Sequence, residues 1–154
     1  MGTLSKAAGA YGGYLCASAP VIDLIANRAR SLFYSTALPP AVLASATEAL
    51  KMIEDDKDLV AKPLAKARLF TERMGLEAAQ SAIVPLIVGD PQKALWAAGA
   101  LEDEGFLVIA IRPPTVPEGT SRLRFTFSAA HTDGDIERLA EALRKIGPRI
   151  GIRG

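Results

Sequence analysis

Residues 122–128 have the sequence RLRFTFS, in which polar and apolar side chains alternate at every step. Because successive side chains of a β-strand point to opposite faces, this alternation predicts a strand with one core-facing side. Leu123, Phe125 and Phe127 would face the core. Both arginines, with Thr126 and Ser128, would face the other way.

Two strands and a helix are predicted before this segment. Residues 63–74 carry apolar side chains at helical spacing, and Gly75 is predicted to end that helix. Residues 83–88 form an apolar run that contains Pro85. Since proline cannot donate to a sheet ladder, this strand is predicted at an edge or at a bulge. The most hydrophobic run, residues 106–111, predicts a buried strand.

Two helices complete the second half of the chain. Asp90 lies in a turn that is predicted to cap a helix ending before Gly105. Thr132 is predicted to cap the last helix, with Asp135 completing an imperfect capping box. The predicted core positions of the first of these helices are Leu95, Ala98 and Leu101. Residues 58–154 thus predict a small α+β domain with helices on a mainly antiparallel sheet.

The first third of the chain is predicted to contain a strand and two helices. Residues 13–18 predict a short buried strand, with Cys16 as a small buried hydrophobe. One helix is predicted to begin at Pro20, and a longer one at Pro40. Acidic residues oppose the dipole at a helix C-terminus, so the cluster 54–56 is predicted as a solvated loop and a domain boundary.

Composition excludes several classes of function. Eighteen basic and seventeen acidic residues leave a formal charge of +1, which gives no electrostatic case for binding nucleic acid. No run approaches the ~18 apolar residues of a membrane span. One cysteine and one histidine exclude an internal disulfide and a Cys/His zinc site, so no metal is predicted. A weakly apolar N-terminus argues against a signal peptide, and a cytoplasmic protein is predicted.

Lys6 is the strongest candidate for chemistry in the first third. It stands in the sequence GTLSKAAGAYGGY, residues 2–14, between two hydroxyl side chains and three glycines. Glycines let the backbone approach a ligand closely, and a lysine amine in a desolvated pocket can form a Schiff base with a carbonyl cofactor. The alternative is a solvated lysine near the chain terminus, and these residues alone leave both open.

Two features of the second half could bind a ligand. Residues 112–117 contain three prolines, and such a stiff loop could hold Arg112 and Thr115 towards a substrate or could simply connect two strands. Arg124 could grip a carboxylate through two parallel hydrogen bonds, or it could be a solvated surface residue.

Three segments taken together resemble the α-oxoamine synthases, which are fold type I enzymes dependent on pyridoxal 5'-phosphate. They are GTLSKAAGAYGG at 2–13, YSTALPP at 34–40 and IRPPTVPEGTSRLRFTFSAAH at 111–131. The lysine motif is shared with many class II aminotransferases. The third segment is more specific and is more similar to the biotin-pathway synthases than to the 5-aminolevulinate or 2-amino-3-ketobutyrate synthases.

The resemblance implies a cofactor site and a dimer. Lys6 matches the lysine that holds pyridoxal 5'-phosphate covalently, and Thr3 matches a threonine that binds its phosphate. Ser35 and Thr36 match a pair that reaches the phosphate of the neighbouring subunit's cofactor. A homodimer is therefore implied.

The resemblance also implies small-molecule substrates. These are L-alanine and a pimeloyl thioester carried on coenzyme A or acyl carrier protein, joined with decarboxylation. Arg124 matches the arginine that binds the amino-acid carboxylate, and Thr115 matches a position that contacts substrate. Arg112 is a weaker candidate for binding the acyl substrate.

The implied architecture is that of an α/β enzyme represented by its C-terminal part. Residues 1–38 would be a remnant of the cofactor-binding large domain, 39–57 a linking helix and 58–154 the small α+β domain. The aspartate that holds the pyridine nitrogen has no counterpart here, so the chain is predicted to be inactive alone. The alternative is a non-catalytic dimerisation or binding module derived from such a small domain.

Overall fold

The structure is a computed structural model that describes residues 1–151, in two compact units, Met1–Lys57 and Asp58–Gly154. The first unit, unit 1, has a two-stranded antiparallel ribbon followed by helices. Its elements are β1 (Gly2–Thr3), β2 (Gly13–Tyr14), α1 (Ala19–Arg28), α2 (Arg30–Phe33) and α3 (Pro40–Asp55).

Unit 1 departs from the sequence prediction in its strand and its first helix. The predicted buried strand 13–18 is reduced to the two exposed residues of β2, and Cys16 is exposed rather than buried. A buried strand needs an apolar layer above it. Among residues 1–57, however, only Leu4 and Ala46 are hydrophobic residues less than a tenth exposed. The helix predicted from Pro20 is interrupted at Ala29, whose ψ of 97° is extended.

The acidic cluster is more helical than predicted. Pro40 begins α3 as expected, but the helix runs on through Glu54 and Asp55, and only Asp56 lies outside it. The next helix, α4 (Lys57–Arg73), follows at once and carries Asp58 in its first turn, where a negative charge favours a helix. The helix predicted over residues 63–74 therefore starts earlier, and Pro63 lies inside it.

Unit 2 follows the predicted order of helix, strand, helix, strand, strand and helix. After α4 come β3 (Ile83–Gly89), α5 (Pro91–Asp103), β4 (Ile109–Ile111), β5 (Ser121–Thr126) and α6 (Asp133–Ile150). The three strands form an antiparallel sheet in the order β3–β5–β4. Pro85 consequently lies on an edge strand, and the register of β3 shifts between Ile87 and Gly89, so the prediction of an edge or a bulge is confirmed.

The core of unit 2 lies between one face of this sheet and the three helices. Leu123 and Phe125 of β5 are almost fully buried, as the alternation predicts. The ring of Phe70 on α4 packs 4.7 Å from that of Phe125 and 5.2 Å from that of Phe127, measured between centroids. Leu143 of α6 is fully buried in the same cluster. The core is thus aromatic where α4 meets β5.

Two other predictions for unit 2 need correction. The run 106–111 is a strand only over its second half, β4, and it is not buried throughout, because Leu107 is 84% exposed and Ile109 is also exposed, while Val108 is buried. On α5 the buried side chains are Ala94, Ala97 and Leu101, one position before the predicted Leu95 and Ala98. An Ala-rich helix has a weak amphipathic pattern, and close packing on the sheet selects its smallest face.

The helix boundaries follow local chemistry. The Asp90 carboxylate accepts a hydrogen bond from the Lys93 backbone N–H at 2.8 Å and caps α5. At α6 the Thr132 hydroxyl accepts from the Asp135 N–H, and the Asp135 carboxylate accepts from the Thr132 N–H, so the predicted capping box is confirmed. Gly75, with φ of 63°, follows the end of α4.

Truncating the central aromatic ring is expected to unfold unit 2 readily. Phe70→Ala leaves a cavity beside Phe125 and Phe127 and is expected to lower the free energy of unfolding by about 3–5 kcal/mol. Leu107→Ala is the matched control, since that side chain is already in solvent, and it is expected to change stability by less than about 0.5 kcal/mol. Urea denaturation monitored by circular dichroism measures both, and equal effects would contradict this core.

The capping box predicts a pH dependence. Hydrogen bonds from Thr132 hold the pKa of the Asp135 carboxyl well below its usual value of 3.8, with Arg138 contributing. A lowered folded-state pKa gives stability that is present above the ordinary carboxyl pKa and is lost as pH falls through the lower folded-state pKa. Asp135→Asn is therefore expected to destabilise unit 2 at pH 7, with the difference shrinking in strong acid. Thermal unfolding of both proteins from pH 7 to pH 2 measures this; a difference independent of pH would refute it.

Candidate active site

Lys6 is displayed at the surface by the loop between β1 and β2. Three backbone hydrogen bonds of 2.9 Å close this loop. The N–H of Leu4 donates to the Gly12 carbonyl, that of Ala10 to the Leu4 carbonyl, and that of Gly9 to the Lys6 carbonyl. The backbone at Lys6 is therefore held in place while its amine remains accessible.

Two hydroxyl groups lie close together beside the lysine. Thr3 Oγ1 and Ser5 Oγ are 2.7 Å apart, and the Ser5 N–H donates to Thr3 Oγ1 at 3.2 Å. Thr3 Oγ1 also donates to the Gly12 carbonyl at 3.3 Å. Hydroxyl donors can bind phosphate oxygens, and a primary amine can bind an aldehyde, so this loop carries groups that suit an aldehyde with a phosphate.

The segment that contains Ser35 and Thr36 passes close to the lysine loop. A Cβ added to Gly12 would lie 2.7 Å from Cδ1 of Leu38, so Leu38 packs directly against that glycine. Ser35 and Thr36 are both exposed, and the Ser35 hydroxyl donates to the Leu32 carbonyl at 2.9 Å at the end of α2. Within unit 1, the segment that contains Ser35 and Thr36 thus meets the lysine loop through Leu38.

Arg112 and Thr115 share one tight turn in unit 2. The Thr115 N–H donates to the Arg112 carbonyl at 3.1 Å, and both side chains are exposed. Arg112 lines an open cavity of about 560 Å³. Asp90 and Glu118 line the same cavity, so two carboxylates accompany this guanidinium.

Arg124 lies on the open side of the sheet. It pairs with Pro85 of β3 on one flank and Ile109 of β4 on the other, and its side chain is exposed. None of the ion pairs among residues 1–151 involves it. The side chain is therefore available to an external carboxylate.

A comparison with known protein families identifies the family of the chain. The model of the aminotransferase class I and II family matches residues 1–143. The chain belongs to this family.

Similar proteins within the family are named as synthases. The 8-amino-7-oxononanoate synthase of Methylocella silvestris is 62% identical over 146 residues, which are 95% of this chain and 42% of that protein. That of Beijerinckia indica subsp. indica is 62% identical over 148 residues, or 96% and 38%. The chain thus spans about 40% of the length of these relatives.

Solved structures share the fold. Sphingomonas wittichii serine palmitoyltransferase has a TM-score of 0.89 at 28% identity, covering 99% of this chain and 40% of that one. The 8-amino-7-oxononanoate synthase from Francisella tularensis has a TM-score of 0.83 at 25% identity, covering 97% and 45%. A structure described as SPT with its PLP internal aldimine has a TM-score of 0.90. The predicted fold class, that of the fold type I enzymes, is confirmed.

Ser5 has no role predicted from the sequence, although its hydroxyl and N–H both contact Thr3. The signal in the sequence is the spacing of the two hydroxyl residues in TLSK, because side chains two apart in an extended segment share a face.

In the part of the chain that the structure describes, no helix is long and apolar enough to cross a membrane.

The lysine loop is expected to depend on Gly12 more than on Gly9. Gly12 has φ of 113° and contacts Leu38, whereas Gly9 has φ of 57° and nothing within 4 Å of an added Cβ. Gly12→Ala is expected to cost about 1–3 kcal/mol in local stability, and Gly9→Ala about 1 kcal/mol. Hydrogen exchange of the Leu4 amide, which donates to the Gly12 carbonyl, reports the opening of the loop. Equal exchange in the two variants would argue against the packing of Leu38 on Gly12.

Proposed function

We propose that this chain is part of an α-oxoamine synthase that joins L-alanine to a pimeloyl thioester with loss of carbon dioxide, in biotin biosynthesis. The observation that carries the proposal is the match of 95–96% of the chain to 8-amino-7-oxononanoate synthases at 62% identity. The exposed Lys6, carried on the same loop as the paired Thr3 and Ser5 hydroxyls, supports it from the structure.

The residues of unit 1 fit pyridoxal 5'-phosphate. Lys6 would bind its aldehyde covalently, and the Thr3 hydroxyl would bind the phosphate in exchange for its contacts with Ser5 and Gly12. Ser35 and Thr36 would contact the phosphate of a neighbouring subunit's cofactor, so the working enzyme would be a homodimer. The single cysteine suits a reducing compartment, the cytoplasm. When bound, the cofactor supplies an electron sink for a carbanion at the alanine Cα.

The chain's own side chains have distinct roles in this proposal. Lys6 removes the proton from the alanine Cα, which requires its amine to be neutral. Arg124 binds the alanine carboxylate through charge-assisted hydrogen bonds. A bond then forms between the alanine Cα and the acyl carbonyl carbon, the thiol leaves, and carbon dioxide is lost with uptake of one proton. Thr115 contacts the substrate, and Arg112 is a weaker candidate for the acyl group.

A second candidate function has one observation in its favour. Unit 2 has a continuous hydrophobic core of its own, whereas residues 1–57 bury few apolar side chains. A small domain with a core of its own suits a dimerisation or binding module that has no catalytic role.

A chimeric enzyme separates the two candidates. The matched 146 residues of the Methylocella silvestris synthase are replaced by this chain, and carbon dioxide release is measured with L-alanine and a pimeloyl thioester. The chimera is expected to be active, and Lys6→Ala is expected to lower its kcat by about 10³-fold because the covalent anchor and the base are lost. Lys62→Ala, at an exposed position on α4, is the matched control.

The outcomes of this experiment are distinct. Activity that survives Lys6→Ala would contradict the role of the lysine. A folded but inactive chimera would favour the non-catalytic module. Separately, the 154-residue chain alone is mixed with the cofactor and L-alanine, and it is expected to develop no visible absorbance of a covalently bound cofactor.

A further inference from the structure

On the side of the sheet that faces away from the core, two arginines of the central strand lie between apolar residues of the two edge strands. This outer sheet face consists of Ile83, Pro85 and Ile87 of β3, Arg122, Arg124 and Thr126 of β5, and Ile109 and Ile111 of β4. In the register, Arg122 lies between Ile87 and Ile111, just as Arg124 lies between Pro85 and Ile109. The two arginines are therefore equivalent in position along one strand.

The outer sheet face is electrostatically unbalanced. None of its strand positions carries a carboxylate, and no ion pair among residues 1–151 involves either arginine. Two guanidinium groups whose Cα atoms are about 6.5 Å apart, two residues along a strand, repel each other. An arrangement of this kind is stabilised by anions, and two arginines can hold two carboxylates.

Of the two arginines, Arg122 is the one whose side chain is fixed by a hydrogen bond. Its Nε donates to the Thr120 carbonyl at 3.0 Å, and the side chain is partly buried. The described structure places no partner on its two terminal nitrogens, which remain free to form a bidentate pair with a carboxylate. The hydrogen bond to Thr120 orients the guanidinium in advance, which lowers the entropy lost on binding.

Arg112 is less suited to a second carboxylate. Asp90 and Glu118 line the same cavity as Arg112, and their negative charges oppose an incoming anion. The outer sheet face has no such competitor among its strand residues. The strand residues that flank Arg122 are apolar, which makes it the better candidate for this role.

We propose that Arg122 binds the distal carboxylate of an ω-carboxyacyl thioester and so selects that substrate over a simple acyl thioester. The inference rests on the proposed function, in which Arg124 binds the amino-acid carboxylate and a second carboxylate lies at the far end of the acyl chain. Ile87 and Ile111, on either side of Arg122, offer apolar surface to the methylene groups between the reacting carbon and that carboxylate.

The chimeric enzyme tests this with pimeloyl and heptanoyl thioesters, which have the same chain length and differ in the distal carboxylate. Arg122→Gln is expected to raise KM for the pimeloyl thioester about 10–100-fold, the loss of one charge-assisted pair. KM for L-alanine and turnover of the heptanoyl thioester should stay within about twofold. Arg122→Lys should partly restore KM, and Arg124→Gln should raise KM for L-alanine instead.

Arg68→Gln is the matched control, because Arg68 also donates from Nε to a backbone carbonyl, that of Ala79, but lies on α4. It is expected to leave both thioester KM values unchanged. If Arg122→Gln raises KM equally for both thioesters, or raises KM for L-alanine, Arg122 only supports the fold of the sheet and the inference is wrong. A chimera that is inactive before any substitution contradicts the proposed function, and the inference with it.

Discussion

Strand β5 has one apolar face and one polar face, and much of the structure of unit 2 depends on which face is buried. Because side chains alternate along a strand, burying Leu123 and Phe125 in the core obliges Arg122 and Arg124 to point the other way. A shift of one residue in the register would place both guanidinium groups in an aromatic core, at a prohibitive desolvation cost. The packing of Phe70 on Phe125 therefore fixes the direction in which both arginines point.

The lysine loop is held by a different kind of interaction. Of the hydrophobic residues of unit 1, only Leu4 and Ala46 are less than a tenth exposed, whereas Phe33 and Tyr34 are 67% and 76% exposed. Hydrogen bonds closed through Gly12, rather than a core, determine the shape of the loop. Such a loop can present an amine accurately but contributes little to global stability, which in this chain resides mainly in the core of unit 2.

Elements with a local signal could be predicted from the sequence, and elements that depend on distant partners could not. The alternation in β5 and the caps at Asp90 and Thr132 are readable within a few residues, and all three are confirmed. The strand predicted over 106–111 forms only over 109–111 and is not buried throughout, because an apolar run is buried only where another layer covers it. Burial of Cys16 fails for the same reason. Hydrophobicity indicates which residues can be buried, while topology decides which of them are.

The site was partly predictable for a related reason. Roles for Lys6 and Arg124 came from the resemblance of whole segments, since one lysine or one arginine carries little information alone. What no segment could reveal is the balance of charge around each arginine, which depends on strand pairing and loop packing. Pairing leaves Arg122 among isoleucines, whereas loop packing sets Arg112 beside Asp90 and Glu118. Two arginines ten positions apart in one segment thus have different surroundings, which strand pairing and loop packing together determine.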